Sequence, residues 1–167
     1  VIGLYAPWGA GKSSVLRFLE RELGKSPRIL LLSFNPWRYT TEEALLEAFY
    51  DDVARTLKRS VKTEKEKRRA KTARIAGTVP EGTTVLGIPV GSVTKAVEGL
   101  AREHSEVTVE VAKRRVGQFL QEQGLRVVVL LDDLDRLEAS EAHAVLRLVR
   151  LNADFPRMTY VITCDAE

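Results

Sequence analysis

The sequence predicts an α/β fold in which helices cover both faces of a parallel sheet. Apolar runs alternate along the chain with segments whose apolar residues have helical spacing. Each run is continuously apolar, as expected of strands that are buried on both faces. The chain has 167 residues, of which 44% are hydrophobic and 29% are charged, and this composition is typical of a globular domain. We therefore expect one three-layer domain over residues 1–167.

Four strands are predicted, and a turn or a polar residue follows each of them. They span residues 1–5, 28–34, 126–131 and 158–163. The Pro7-Trp8-Gly9 turn follows the first strand, and Asn35-Pro36 breaks the second. Because each run is mostly apolar, we expect each strand to be buried.

The first two predicted helices follow the first two strands. Residues 13–23 form the first helix, and Gly24 ends it in the usual C-terminal manner. Thr40 and Glu43 have the spacing of a capping box that opens the second helix. That helix runs to about residue 58 and continues to residue 74 as a basic helical stretch.

Two further helices are predicted in the second half of the chain. Residues 93–123 form one of them, with a break expected at the β-branched residues 107–109, and Gly124 ends it. Ser140 is the predicted N-cap of the last helix, whose apolar face includes Leu151.

Residues 59–112 are predicted to be an insertion between the second and third strands. Between Arg55 and Arg74 there are ten Lys or Arg residues and two Glu residues, a local charge of +8 in a chain of net charge +3. Residues 75–92 contain six Gly or Pro residues, which predict an irregular loop or a hairpin. The basic segment could bind an anionic surface, either nucleic acid or a membrane. It lacks interleaved aromatic residues, so a solvated helical face remains the alternative.

Cysteine, histidine and hydropathy patterns restrict the class of protein. The single cysteine, Cys164, excludes an internal disulfide, and His104 and His143 have no partner cysteines for a zinc site. No run approaches the roughly 18 apolar residues of a membrane-spanning helix. We expect a cytoplasmic domain, with any membrane association provided by parts outside this sequence. Both ends adjoin apolar strands, so we also expect a piece of a longer protein.

A glycine-rich loop lies where the first strand turns into the first helix. Its sequence is Gly9-Ala10-Gly11-Lys12-Ser13. The glycines allow the loop to curl and direct N–H groups inward, and the positive end of the following helix adds to this anion site. In this kind of loop the lysine reaches the β- and γ-phosphates of ATP or GTP, and the serine hydroxyl binds Mg²⁺.

The candidate nucleotide-binding residues extend through the whole loop and include one later position. They are Trp8, Gly9, Ala10, Gly11, Lys12, Ser13, Ser14 and Thr163. The strict pattern has Gly where this chain has Ala6, a change that adds one methyl group and that we expect to be tolerated. The alternative is a glycine-rich turn that precedes a helix by chance.

Two adjacent carboxylates follow the most apolar strand. Asp132 and Asp133 come directly after residues 126–131, and a buried parallel strand delivers such residues to the ligand-binding edge of the sheet. We expect Asp132 to hold Mg²⁺, directly or through water, and Asp133 to orient the attacking water as a catalytic base. Lys12 and Asp133 are thus the candidate catalytic residues. The alternative is a solvated acidic loop before the next helix.

Polar residues at the end of the fourth strand lie at the same predicted edge. Thr163 could sense a γ-phosphate there, and ordinary strand-end polarity is the alternative for both Thr163 and Asp165. Arg38 and Arg136 also follow strand ends. Either could neutralise phosphate charge, although a surface arginine is the more common finding.

Four segments together resemble the KAP family of P-loop NTPases. They are Leu4-Tyr5-Ala6-Pro7-Trp8-Gly9-Ala10-Gly11-Lys12-Ser13-Ser14, Phe34-Asn35-Pro36-Trp37-Arg38-Tyr39, Asp132-Asp133-Leu134-Asp135-Arg136 and Tyr160-Val161-Ile162-Thr163-Cys164-Asp165. The resemblance covers residues 1–58 and 113–167. It implies a P-loop fold of the additional-strand type, with strand four between strands one and three and the order 1-4-3-2. It also implies ATP as the nucleotide.

The same resemblance implies a cellular context. Many KAP proteins are membrane-associated, bacterial members include phage-exclusion proteins, and animal members act in signalling scaffolds. Family members often carry transmembrane segments between the phosphate loop and the acidic strand, but residues 59–112 contain none here. Trp37 is expected to pack in the core, with a place beside the nucleotide as the alternative.

Three functions are compatible with these motifs. The first is a Mg²⁺-dependent ATPase that acts as a switch module in a larger protein, in signalling or phage defence. The second is a scaffold module that binds nucleotide with little or no hydrolysis, since Asp133 occupies a position where many P-loop proteins have Glu. The third is a small-molecule or nucleotide kinase, for which no arginine-rich lid is evident. Partners are expected among other domains of the same chain or in a homo-oligomer.

Overall fold

A computed structural model describes the backbone of residues 1–73 and 106–165, and the side chains of residues 1–60 and 110–165. Its four strands form one parallel sheet in the order β1-β4-β3-β2, which confirms the predicted order 1-4-3-2. The strands are β1 (Ile2–Tyr5), β2 (Ile29–Phe34), β3 (Arg126–Leu131) and β4 (Met158–Cys164).

Within residues 1–73 and 106–165, four α-helices and two short 3₁₀ segments connect these strands. The α-helices are α1 (Lys12–Leu23), α2 (Glu42–Ala73), α3 (Glu106–Glu122) and α4 (Ala139–Asn152), and the 3₁₀ segments are Pro36–Arg38 and Leu134–Arg136. The basic stretch therefore continues α2 as predicted, at least to Ala73. The irregular insertion expected at residues 75–92 and the helix expected at residues 93–105 lie outside the described residues.

Helices cover both faces of the sheet, as the apolar strands predict. On one face, α1 places Leu16 against Val128, Leu130 and Val161. On the other face, α2, α3 and α4 enclose a larger core with alternate residues of the same strands. The side chains of that core with less than 2% exposure include Phe49, Leu57, Val116, Leu120, Leu148 and Tyr160.

The prediction that every strand is buried is wrong for β1. This strand pairs with β4 on one side and lies at the edge of the described sheet, and its Tyr5 side chain is 70% exposed. The prediction that Trp37 packs in the core is also wrong, because its side chain is 43% exposed. Tyr39 provides the aromatic packing instead, stacked on Phe34 at 5.6 Å between ring centroids.

Two predicted N-caps are displaced along the chain. Helix α2 begins at Glu42, and its N-terminal hydroxyl is that of Thr41, where Thr40 was predicted. The Thr41 hydroxyl accepts a hydrogen bond from the Ala44 N–H at 3.2 Å. Helix α4 begins at Ala139, and its cap is Glu138 in a capping box with Glu141, where Ser140 was predicted.

Three other details of the helices differ from the predictions. Gly24 ends α1 with right-handed φ of −63°, and its lack of a side chain matters because a Cβ would lie 2.8 Å from the Glu20 carbonyl oxygen. Helix α3 is continuous through residues 107–109 despite the weak helical propensity of β-branched residues, and further along it Ala112, Val116, Phe119 and Leu120 are buried in the larger core. In α4, Leu151 is exposed and Asn152 is buried in its place.

Asn152 is buried because it completes a polar contact inside the larger core. Its Oδ1 accepts a hydrogen bond from the Tyr50 hydroxyl at 3.1 Å, and its Nδ2 donates to the Leu148 carbonyl oxygen at 2.7 Å. The nearby Tyr160 hydroxyl is also buried but has no hydrogen-bond partner among the described residues. Burial, with smaller effects of Tyr50 and Asp154, raises the pKa of Tyr160 far above its usual range, so this hydroxyl stays neutral.

None of the helices in the described part of the chain combines the length and the apolar character that crossing a membrane requires.

We expect Tyr160→Phe to raise the free energy of unfolding by about 1 kcal/mol, because it removes a buried hydroxyl whose hydration is lost on folding without replacement. Tyr50→Phe is the matched control and should lower the free energy of unfolding by about 1 kcal/mol, because it leaves the Asn152 amide oxygen unsatisfied. Urea denaturation of both variants measures the two changes. A destabilised Tyr160→Phe variant would show that the hydroxyl is satisfied.

Candidate functional site

The position of β4 brings together two motifs that are far apart in the sequence. Leu4 of β1 is paired with Thr163 of β4, and Leu131 of β3 is paired with Ile162 of β4. The carboxyl ends of these three strands therefore meet at one edge of the sheet, which is where ligands bind in open parallel sheets. The glycine-rich loop follows β1 at this edge, and the paired aspartates follow β3.

The glycine-rich loop is curled by two residues with left-handed backbone conformation. Gly9 has φ of 81° and Gly11 has φ of 88°, values that disfavour any residue with a side chain. The Ala10 N–H donates to the Pro7 carbonyl oxygen at 3.1 Å and closes the turn. This curl leads directly into α1, for which Gly11 is the N-cap.

The first turn of α1 is suited to an anion. The Val15 N–H donates to the Gly11 carbonyl oxygen at 3.0 Å, so the N–H groups of Lys12, Ser13 and Ser14 precede the first hydrogen bond of the helix. Gly11 provides no side-chain cap, and the first turn contains no acidic residue. Uncapped N–H groups and the positive end of the helix dipole therefore coincide at the loop.

The Lys12 side chain folds back over the loop. Its Nζ donates to the Ala6 carbonyl oxygen at 2.9 Å and to the Pro7 carbonyl oxygen at 3.4 Å, and only 9% of the side chain is exposed. Asp165 Oδ1 lies 3.9 Å from the same Nζ. The ammonium group is thus held next to the residues that connect β1 to the glycine-rich loop. Ala6 contributes its backbone carbonyl, which a glycine at this position would also provide.

Asp132 is fixed by hydrogen bonds to one of its two carboxylate oxygens. Its Oδ1 accepts from the Thr163 hydroxyl at 2.7 Å and from the Asp133 N–H at 3.0 Å. Thr163 is fully buried, so this contact lies between the two strand ends. Asp132 and Thr163 are the two candidate site residues that the structure joins most directly.

Asp133 has an unusual backbone conformation. Its φ of 60° and ψ of 37° lie in the left-handed region, which Asp enters more readily than most residues but still at a cost. The turn directs the chain into the 3₁₀ segment Leu134–Arg136, and the Arg136 Nε lies 3.3 Å from Asp133 Oδ1. Backbone strain of this kind is often found at functional sites.

The other candidate residues have exposed or half-buried side chains. Trp8 lies in the loop with 83% of its side chain exposed, and Ser14 is exposed while Ser13 is half-buried. Arg38 lies over the ring of the exposed Trp37, with 5.6 Å from its guanidinium carbon to the ring centroid.

Cys164, the last residue of β4, has a raised pKa and is a protonated thiol. Burial is the main cause that raises its pKa, the Asp135 carboxylate raises it further, and the Lys12 ammonium lowers it by less. The thiolate is the reactive form of cysteine, so a raised pKa argues against Cys164 as a nucleophile.

The sequence does not reveal two contacts of the site. The ion pair of Arg136 with Asp133 depends on the left-handed turn at Asp133, for which the sequence has no glycine signal. The approach of Asp165 to Lys12 requires β1 and β4 to be neighbours. Arg136 and Asp165 could be found from their positions after strand ends, but their partners could not.

The available oxygen ligands fit one small hard cation shared with phosphate. Within the described ranges, no group of three or more His, Cys, Asp or Glu side chains is placed to hold a metal ion. Asp132 and Ser13 supply one carboxylate and one hydroxyl group. Mg²⁺ typically takes one or two protein oxygens and completes its shell with water and substrate phosphates.

We expect Asp133→Gly to be more stable than Asp133→Ala by about 1 kcal/mol, because glycine enters the left-handed region without a steric cost and alanine does not. Both variants lose the carboxylate and its ion pair, so the comparison isolates the backbone. Thermal unfolding followed by circular dichroism measures the difference. Equal stabilities would contradict the left-handed turn.

Two comparisons with known proteins return related sequences. The family model described as "KAP family P-loop domain" matches residues 1–167. The chain is 24% identical over 194 aligned residues to the phage T7 exclusion protein of Escherichia coli (strain K12). That alignment covers 100% of this chain and 26% of the relative, so the chain spans about a quarter of the relative's length. No solved structure matches this chain.

The family match covers the whole sequence, including the middle region that the four motifs leave out. It agrees with the parallel sheet order and with the curled loop between β1 and α1. The chain therefore belongs to the KAP family of P-loop domains.

Proposed function

We propose that this domain binds ATP with Mg²⁺ and hydrolyses it, acting as a switch module within a larger protein. The observation that carries the proposal is the position of β4 between β1 and β3, which places the glycine-rich loop and the paired aspartates at one edge of the sheet. Membership of the KAP family supports nucleotide binding by itself. Hydrolysis rests on the roles proposed for the residues below.

Lys12 is proposed to bind the β- and γ-phosphates. The two carbonyl oxygens that it contacts hold the ammonium group at the loop before any ligand arrives. Both carbonyl oxygens are neutral acceptors, whereas a phosphate oxygen carries negative charge. Replacement of a carbonyl oxygen by a phosphate oxygen as the partner of the ammonium group is therefore favourable. The N–H groups of Lys12, Ser13 and Ser14 add donors at the same end of α1.

Ser13 and Asp132 are proposed to hold Mg²⁺. When bound, the ion would neutralise phosphate charge and polarise the phosphoryl group. Asp132 offers its second oxygen, Oδ2, since Oδ1 already accepts two hydrogen bonds. A cation site in which protein supplies few ligands agrees with the absence of a larger carboxylate cluster in the described residues.

Asp133 is proposed to orient the attacking water as a general base. The left-handed turn separates its carboxylate from that of Asp132, although the two residues are adjacent. The side chain remains partly exposed, so water can reach it. Arg136 pairs with the carboxylate and would hold it in place.

A nucleotide-binding scaffold without hydrolysis is the second candidate function. The observation that favours it is the ion pair between Arg136 and Asp133, since this contact occupies Oδ1 of the carboxylate that would have to orient the water. The shorter Asp side chain, where many P-loop proteins have Glu, favours the same conclusion. Turnover by the full-length protein separates the two candidates.

The relative in Escherichia coli suggests a biological setting. Its printed name is that of a phage T7 exclusion protein, and this chain aligns with about a quarter of it. We therefore propose phage defence as one context for the switch, with signalling as the other.

The first test compares Lys12→Ala with Asp133→Asn. Lys12→Ala should weaken ATP binding by at least about tenfold, because the charged donor to the phosphates is lost. Asp133→Asn should bind ATP within about threefold of the wild type but lose about a hundredfold or more in turnover, the usual contribution of a general base. Titration calorimetry and a phosphate-release assay measure both quantities.

The matched control is Lys25→Ala, which removes a surface lysine paired with Glu22 at the opposite end of α1. It should bind and turn over ATP like the wild type. Unchanged hydrolysis in both Lys12→Ala and Asp133→Asn would contradict the proposal. Binding without turnover by the wild type in its full-length protein would select the scaffold.

We propose in addition that the basic segment between Arg55 and Arg74 contacts an anionic surface. Reversing two of its charges, with Lys67→Glu and Arg68→Glu, should reduce binding to DNA or to acidic vesicles at low salt by about tenfold, because counterion release depends on the number of contacts. The control reverses Arg114 and Arg115, two exposed residues of α3. Wild-type binding that is absent at low salt, or insensitive to salt, would refute the contact.

A further inference from the structure

The hydroxyl of Thr163 donates its hydrogen bond to the Asp132 carboxylate. A threonine hydroxyl has one proton, and two acceptors are near it: Asp132 Oδ1 at 2.7 Å and the Leu131 carbonyl oxygen at 3.5 Å. The carboxylate is both closer and charged, so it takes the proton. Thr163 is fully buried, and its hydroxyl therefore has no further proton to offer a phosphate oxygen.

The sheet register fixes this contact. Leu131 and Ile162 are paired on the face of the larger core, so the next residue of each strand, Asp132 and Thr163, lies on the opposite face. That opposite face is the one that α1 covers, and α1 begins at Lys12 of the glycine-rich loop. The hydroxyl thus fixes the orientation of a carboxylate on the side of the sheet that faces the loop.

We propose that Thr163 is a positioning residue whose hydroxyl holds Oδ1 of Asp132, so that the carboxylate offers only Oδ2 to a nucleotide-bound Mg²⁺. The inference rests on the proposed function, because it concerns how the site selects its cation. It differs from a direct contact of Thr163 with the γ-phosphate, which the sequence alone also allows. Thr163 acts on the ion through Asp132.

This arrangement has a consequence for the choice of cation. The Asp133 N–H reinforces the occupation of Oδ1 at 3.0 Å, so bidentate coordination by Asp132 would require breaking two hydrogen bonds. Ca²⁺ often takes carboxylates in bidentate fashion and accepts irregular shells, whereas Mg²⁺ requires near-octahedral geometry and is commonly bound by single carboxylate oxygens. Thr163 therefore favours Mg²⁺ over Ca²⁺.

The test uses Thr163→Val, which keeps the β-branched shape and removes the hydroxyl, and Thr163→Ser, which keeps the hydroxyl. Thr159→Val is the matched control, because it makes the same change on the same face at the other end of β4. Binding of a fluorescent ATP analogue is measured in EDTA, and then during titration with Mg²⁺ or Ca²⁺. Circular dichroism verifies that each variant is folded.

We expect Thr163→Val to bind the analogue in EDTA within about twofold of the wild type and to need about ten times more Mg²⁺ for the same enhancement, as is usual when a residue that orients a metal ligand is lost. Its preference for Mg²⁺ over Ca²⁺ should shrink. Thr163→Ser and Thr159→Val should follow the wild type in all three titrations. If Thr163→Val does not fold, Thr163→Ser and Thr163→Ala, which differ in the hydroxyl, provide the same comparison.

Different results identify which proposal fails. A wild type that binds no nucleotide overturns the proposed function and this inference with it. A wild type that responds to Mg²⁺, with a Thr163→Val variant that responds identically, overturns the inference alone. Weaker binding of Thr163→Val already in EDTA, for a triphosphate but not for a diphosphate, also overturns it, because that pattern indicates a direct contact with the γ-phosphate.

Discussion

Parallel pairing of β4 with β1 on one side and β3 on the other determines where the candidate site residues lie. The loop with Lys12 and the aspartates at residues 132 and 133 are separated by about 120 positions, and no local interaction joins them. They meet because the carboxyl ends of adjacent parallel strands share an edge. The polar end of β4 then lies between them, and it contacts both: Thr163 reaches Asp132, and Asp165 approaches Lys12.

The candidate groups at this edge are already constrained. The loop is curled at Gly9 and Gly11, Lys12 folds back over it, and Asp132 Oδ1 accepts two hydrogen bonds. For the nucleotide proposed above, such constraints would reduce the entropy lost on binding. Asp133 has a strained, left-handed backbone at this edge, and the next residue, Leu134, packs against the larger core.

Much of this architecture could be predicted because continuous apolar runs and helical spacing are strong signals. The strand positions and the apolar face of α2 follow from them, and the strand order follows from the family resemblance. The cap positions could not be predicted, since Thr40 and Thr41 are chemically equivalent and only the first turn of α2 decides between them. The exposure of β1 depends on its place at the edge, and apolar composition alone does not indicate it.

The sequence indicates the candidate site as a set of residues but not as a set of contacts. The pattern around Gly9–Lys12 indicates phosphate binding, and Asp132 follows from its place after an apolar strand. The hydrogen bond between Thr163 and Asp132 depends on the register of β3 and β4, which their apolar composition does not specify. The ion pair of Arg136 with Asp133 depends on a backbone conformation that most residues avoid.

The loop and the paired aspartates are proposed to form one nucleotide site. A crystal structure with a non-hydrolysable ATP analogue and Mn²⁺, located by its anomalous signal, would show whether they do. The β- and γ-phosphates should lie against Lys12 and the N–H groups of the loop, with Mn²⁺ next to Ser13 and linked to Asp132 through Oδ2 or one water molecule. Phosphates bound away from the loop, or Mn²⁺ with no direct or water-mediated link to Asp132, would contradict it.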